Sequence, residues 1–312
     1  MSKPFTAGQI RGNWATLLTA WNADDSLDLP RVVAEIDVLI AAQVDGIYSN
    51  GTAGEFHTQT ETEFDRISAC LAEKCDAAGM PFQIGASHMS AQLSRERLRR
   101  IVPLAPAAVQ VILPDWFPVT EAEAVAFLEQ MAEVAAGIGL VLYNPPHAKR
   151  VLNPEQIGRL AQRVPALVGL KTAGGDDAWY ASMRQHLPRL SVFVPGHLLA
   201  SGVQRGAHGA YSNVATLNPR AAQCWTEQMQ TDMAGALELE RRLRQFMDGY
   251  IAPFITEQRY CNAACDRFMA LLGGWADVGG HMRWPYRSIP PSEVERIRPA
   301  ARALSPEFFR KE

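Results

Sequence analysis

The sequence predicts a (β/α)8 barrel with a C-terminal helical extension packed on it, and three observations carry that prediction. Eight short apolar runs alternate with amphipathic stretches over residues 1–217. The runs are continuously apolar, as strands of a parallel sheet buried on both faces are, where a sheet with one wet face would alternate. From residue 218 onward no strand pattern appears, and apolar residues recur only at three- and four-residue spacing. An open doubly wound sheet more often has fewer strands, so eight units favour the closed barrel.

In chain order, residues 14–19 read as the first strand and 29–43 as the first helix. Residues 46–49 form the second strand, which runs into Gly51-Thr52-Ala53-Gly54-Glu55 ahead of a helix over 60–78. The third and fourth units are strands 81–86 and 108–113 with helices 90–100 and 121–136, the fourth strand closed by Pro114. The fifth strand, Gly139-Leu140-Val141-Leu142-Tyr143, ends before Asn144-Pro145-Pro146, and Asn153 with Pro154 gives the next helix an N-cap and a first helical position. The sixth strand is Leu167-Val168-Gly169-Leu170-Lys171-Thr172. A helix over 179–186, a strand over 191–194, Pro195-Gly196-His197, a helix over 198–205 and a last strand over 209–213 complete the barrel. The extension, residues 218–312, reads as helices over 219–230, 234–251, 258–272 and 293–304, with no linker flexible enough to mark a mobile domain.

A net charge of −3 with both signs interspersed argues against a nucleic-acid or polyanion binder. No charged-then-apolar leader is visible, and no apolar run approaches the roughly 18 residues of a membrane span, so a cytoplasmic protein with no membrane partner is expected. The five cysteines are odd in number and lack CxxC spacing, which fits reduced, buried thiols better than a metal site. No GxGxxG follows a strand, so no dinucleotide cofactor is expected.

Lysine at the end of a buried strand needs a reason. Lys171 could snorkel its ammonium to the sheet rim, or, partly desolvated, keep a lowered pKa and attack a carbonyl to form a Schiff base. In a barrel the C-terminal strand ends build the site, and there fall Thr52, Asp115, Trp116, Tyr143, Lys171, Gly196, His197 and Tyr211. An amine with a phenol and a hydroxyl beside it points to imine chemistry. The two glycines around Thr52 and Ala53 would let consecutive N–H groups, including those of Gly51 and Ala53, face one carboxylate, with a following helix N-terminus adding its dipole. The competing reading is a plain Gly-rich turn.

Taken together, Gly51-Thr52-Ala53-Gly54-Glu55, Tyr143-Asn144-Pro145-Pro146 and Gly169-Leu170-Lys171-Thr172-Ala173-Gly174-Gly175-Asp176 resemble, in order and spacing, the motifs of the dihydrodipicolinate synthase and N-acetylneuraminate lyase superfamily. Leu271-Leu272-Gly273-Gly274 and Arg283-Trp284-Pro285 extend the resemblance through the tail. It implies a class I aldolase acting on a pyruvate-type 2-oxo acid, with no cofactor because the protonated imine is itself the electron sink. By the same resemblance Lys171 forms the imine, Tyr143 shuttles protons, and Thr52 holds the phenol and, with the Ala53 N–H, the substrate carboxylate. The family assembles as homodimers or homotetramers, and the resemblance implies an oligomer here.

The departures are specific. Ala53 replaces a second hydroxyl residue, and Pro114-Asp115-Trp116 stands where synthases carry Pro-Tyr-Tyr, whose second tyrosine serves a neighbouring subunit. Ala148 occupies the place of the arginine that holds a distal carboxylate, and Thr172 that of the usual acidic residue. These changes point away from a lysine-biosynthesis synthase. Trp116, His147, Gly196 and Tyr211, with His197, are then the candidates for the distal part of the substrate, Tyr211 limiting its size. Reversible aldol cleavage is the leading reading. A dehydratase or deaminase of a 3-deoxy-2-oxo sugar acid through the same imine, and a non-catalytic acid-binding barrel, are the alternatives.

Overall fold

The computed structural model describes residues 4–310. Eight parallel strands close in sequence order, each hydrogen-bonded to the next and the last to the first. They are β1 (Gly12–Thr16), β2 (Gly46–Ser49), β3 (Phe82–Gly85), β4 (Ala108–Ile112), β5 (Leu140–Asn144), β6 (Leu167–Thr172), β7 (Ser191–Pro195) and β8 (Gly209–Ser212). The helices between them are α1 (Leu29–Ala41), α2 (Glu61–Ala78), α3 (Ala91–Ile101), α4 (Glu121–Ala135), α5 (Pro154–Arg163), α6 (Asp177–His186) and α7 (Leu199–Gln204). This is a TIM barrel. Capping boxes start α2 at Thr60 and Glu63, α4 at Thr120 and Glu123, and α5 at Asn153 and Gln156, each satisfying N–H groups the first turn leaves free.

The first strand starts two residues and ends three residues earlier than the sequence predicts. Beyond Thr16, Glu35 from α1 accepts the Leu18 N–H at 2.7 Å and the Thr19 hydroxyl donates to the Gly54 carbonyl, so side chains replace the ladder. After β8 come α8 (Asn213–Leu217), α9 (Pro219–Gln228), α10 (Met233–Phe246), a π-helical turn over Met247–Ile251, α11 (Ala252–Thr256), α12 (Asn262–Gly273) and α13 (Ser292–Leu304). The helix expected over 258–272 begins only at Asn262, because Arg259 takes a left-handed φ of 61°. All five cysteines are unpaired, yet Cys224 is exposed, contrary to the expectation of burial. No helix among the described residues is long and apolar enough to cross a membrane.

Inside the barrel Trp14, Tyr48, Phe193 and Tyr211 pack ring against ring, with centroids 4.7 Å apart for Phe193–Tyr211 and 4.8 Å for Tyr48–Tyr211. This aromatic plug floors the C-terminal mouth. At the mouth, Glu55 and Arg267 form an ion pair at 2.6 Å, with side chains 0% and 2% exposed. Arg267 also donates to the carbonyls of Thr19, Val278 and Gly279, and Glu55 accepts the Arg283 N–H. Arg267→Met is expected to cost about 3–5 kcal/mol in urea unfolding, because it strands the Glu55 charge, and the Glu55→Met/Arg267→Met pair to recover part of that loss. A loss no smaller in the double variant would contradict the pairing.

Candidate active site

Parallel pairing sets Tyr143 of β5 directly beside Lys171 of β6, and Lys171 beside Phe193 of β7. Cross-strand partners point the same way, so both functional groups rise from the plug on one wall. The Lys171 Nζ lies 4.4 Å from the Tyr143 ring centroid, 4.9 Å from that of Tyr48 and 5.2 Å from that of Tyr211. Facing it across a chamber of about 240 Å³ is Asp266, delivered by α12 one residue before the Arg267 anchor. Thr52, Ala53, His197 and Asn213 complete the same chamber.

The electrostatics follow from burial. Desolvation pulls the Lys171 ammonium down to about 8, against the Asp266 carboxylate, which favours the charged amine. The tyrosine rings favour the cation too, so desolvation is the effect that wins. Desolvation likewise raises the Asp266 carboxyl to about 7, opposed by Lys171. Tyr143 is pushed up to about 12 by burial, with the Thr52 hydrogen bond working the other way. Its phenol is therefore protonated at neutral pH and available as an acid.

A second chamber of about 610 Å³ adjoins the first, and Thr52, Tyr143, Pro146, Ile255 and Asn262 line both. Tyr143 thus stands at the junction. His147 lies in the larger chamber and His197 in the smaller, where burial lowers its pKa and its Nδ1 pairs with the Asn213 side chain.

Several expected site residues sit elsewhere. Trp116 is 78% exposed and lines neither chamber; Lys149 lies 4.9 Å over its ring and donates to its carbonyl, holding it outward. Gly196 serves packing, since a Cβ there would meet the Ser212 Oγ at 2.5 Å. Tyr211 lines the chamber with its ring, but its hydroxyl donates at 2.6 Å to Gln83 inside the barrel and is spent there. Gly51 faces the Tyr48 ring, where a Cβ would approach to 3.0 Å, and Gly54 lies against the Leu17 carbonyl. The left-handed residues of this turn are Asn50 and Glu55, so the glycines serve close approach. The helix that follows, α2, starts at Glu61, within one residue of the sequence expectation, with turns to Thr58 between it and the Gly-rich segment.

Tyr48 and Asp266 are the site residues that the sequence reading missed. Tyr48 sits within a short apolar strand and looks like core. Asp266 lies in a helix far along the chain, and only the tertiary fold brings it to Lys171.

A sequence model of the dihydrodipicolinate synthetase family matches residues 9–296. The chain belongs to this family. It is an enzyme, a lyase by family. Among its relatives, the N-acetylneuraminate lyase of Rhizobium meliloti is 25% identical over 297 residues, 94% of each chain. The 4-hydroxy-tetrahydrodipicolinate synthase of Exiguobacterium is 28% identical over 228 residues, 72% of this chain and 76% of the other. Among solved structures, the E. coli prophage protein YagE, of the dihydrodipicolinic acid synthase family and in complex with pyruvate, aligns at a TM-score of 0.83. The alignment covers 95% of this chain and 98% of that one at 23% identity, a likeness of fold.

Trinitrobenzenesulfonate labelling of Lys171, followed by peptide mass spectrometry, is expected to rise through a midpoint near pH 8. In Asp266→Asn the midpoint moves to lower pH, because the group favouring the ammonium is gone. A midpoint at the ordinary lysine value, or a shift upward, contradicts that expectation.

Proposed function

We propose that the protein is a Schiff-base lyase that reversibly cleaves or forms a carbon–carbon bond adjoining a pyruvate-type 2-oxo acid, and that it is not the lysine-biosynthesis synthase. The observation that carries this is the side-by-side setting of Lys171 and Tyr143 above an apolar floor. Lys171, partly neutral near pH 8, attacks the keto carbon. Tyr143, hydrogen-bonded to Thr52, gives the carbinolamine the proton that lets water leave. Thr52 and the Ala53 N–H hold the 2-oxo acid carboxylate. In cleavage the substrate's 4-hydroxyl proton passes to the Tyr143 oxygen, the C3–C4 bond breaks, and its electron pair enters the iminium to give an enamine. Protonation at C3 and hydrolysis return pyruvate and the free amine; the water taken up equals the water released. A second tyrosine supplied by another subunit has no counterpart in this scheme, because Trp116, which stands at that position, has no phenol to relay a proton.

We further propose a homodimer or homotetramer. Trp116 and Phe117 are 78% and 85% exposed on the rim, an apolar pair that fits contact with a second subunit.

Borohydride added with pyruvate should fix a covalent adduct on the peptide carrying Lys171, and Lys171→Ala should form none. Tyr143→Phe should keep the adduct but lower turnover about 10²–10⁴-fold. A folded wild-type protein that traps no 2-oxo acid would refute the imine.

A further inference from the structure

The larger chamber, beyond Tyr143, is where the atoms past C4 of an imine-bound substrate must go, and its walls restrict what those atoms are. Its lining is mostly apolar and includes Phe56, Met89, Leu113, Pro118, Val119 and Tyr286. Most of the charged groups around it are already engaged. The Arg150 guanidinium donates to the Val119 carbonyl. Lys149 turns outward onto Trp116, and its backbone N–H is held by Asp115 Oδ1 at 3.0 Å. Burial lowers His57 to about 4, so it is uncharged at neutral pH, and His147 is exposed. The Asn144 amide is used at both ends by the Leu152 backbone, at 2.8 and 3.0 Å. Thr52, Cys261, Asn262 and Tyr286 add polar groups to the lining.

We infer that the carbonyl compound released or consumed with pyruvate is an apolar aldehyde, aromatic or branched aliphatic. This rests on the imine function proposed above. A distal carboxylate would meet only the Arg150 guanidinium, already donating to the Val119 carbonyl, and a polyol would bury hydroxyls against apolar walls with few partners, both costly in a site of low dielectric. A cavity of about 610 Å³ accommodates a substituted ring. The reaction balances without any further reactant: the pyruvate enamine carbon bonds to the aldehyde carbon, the aldehyde oxygen takes the Tyr143 proton, and hydrolysis gives a 4-hydroxy-2-oxo acid. Cleavage is the reverse.

The test gives the wild-type enzyme pyruvate with benzaldehyde, 3-methylbutanal, glyceraldehyde, N-acetylmannosamine or succinic semialdehyde. Mass spectrometry follows the aldol product, and the specificity constant kcat/KM is compared between aldehydes. The two apolar aldehydes should exceed the others at least about tenfold. In Met89→Arg, which sets a guanidinium on the chamber wall, the ratio of benzaldehyde to succinic semialdehyde should fall by about the same factor. Borohydride trapping of pyruvate on wild-type Lys171 runs in parallel. If trapping succeeds but a polyol or acidic aldehyde is preferred, or no aldehyde reacts, the inference is overturned and the imine reading stands. If trapping fails, both fall.

Discussion

The buried ion pair of Glu55 and Arg267 is the constraint on which the site depends. Taking two charges out of water is costly, and the cost is offset only because each charge is met by several well-placed groups. Arg267 reaches three carbonyls besides Glu55, and Glu55 takes a backbone N–H from residue 283. The pair joins the Gly-rich turn after β2 to α12 of the extension. Thr52 and Ala53 lie just before Glu55, and Asp266 just before Arg267. One contact therefore fixes two opposite walls around Lys171. In this chain the extension helps build the chamber as well as cover the barrel.

Within that frame the chemistry turns on a balance of fields at a single amine. Three aromatic rings and a carboxylate favour the ammonium, while removal from water favours the neutral amine and prevails. The result, near 8, leaves a useful fraction of nucleophile close to neutral pH without losing the cationic form the imine must take afterwards. Asp266 stands out because its carboxyl, raised to about 7, titrates in the same range and ties the state of Lys171 to its own.

Much of the fold was legible because a doubly buried parallel strand leaves a continuous apolar run, and strand-end residues are forced toward the mouth. Lys171 and Tyr143 were found by that logic, and β6 starts and ends where the sequence places it. What depended on tertiary contacts was not legible. Leu18 looked like strand, but Glu35 captures its N–H. Trp116 looked like a pocket wall, but Lys149 holds it outward. Tyr48 gave the signal of an ordinary core aromatic, and Asp266 that of a charge on an amphipathic helix; neither pattern records which face meets the lysine.

Whether Lys171 converts a 2-oxo acid into an enamine, with Tyr143 moving the proton, can be read from hydrogen exchange at the methyl group of pyruvate. Pyruvate in deuterated buffer with the enzyme alone, followed by proton NMR, should lose its methyl signal at a rate set by enamine formation. Exchange is expected in the wild type, none above background in Lys171→Ala, and slow exchange in Tyr143→Phe. Exchange that survives in Lys171→Ala, or a folded wild-type enzyme that leaves the methyl protons untouched, would contradict that role for Lys171.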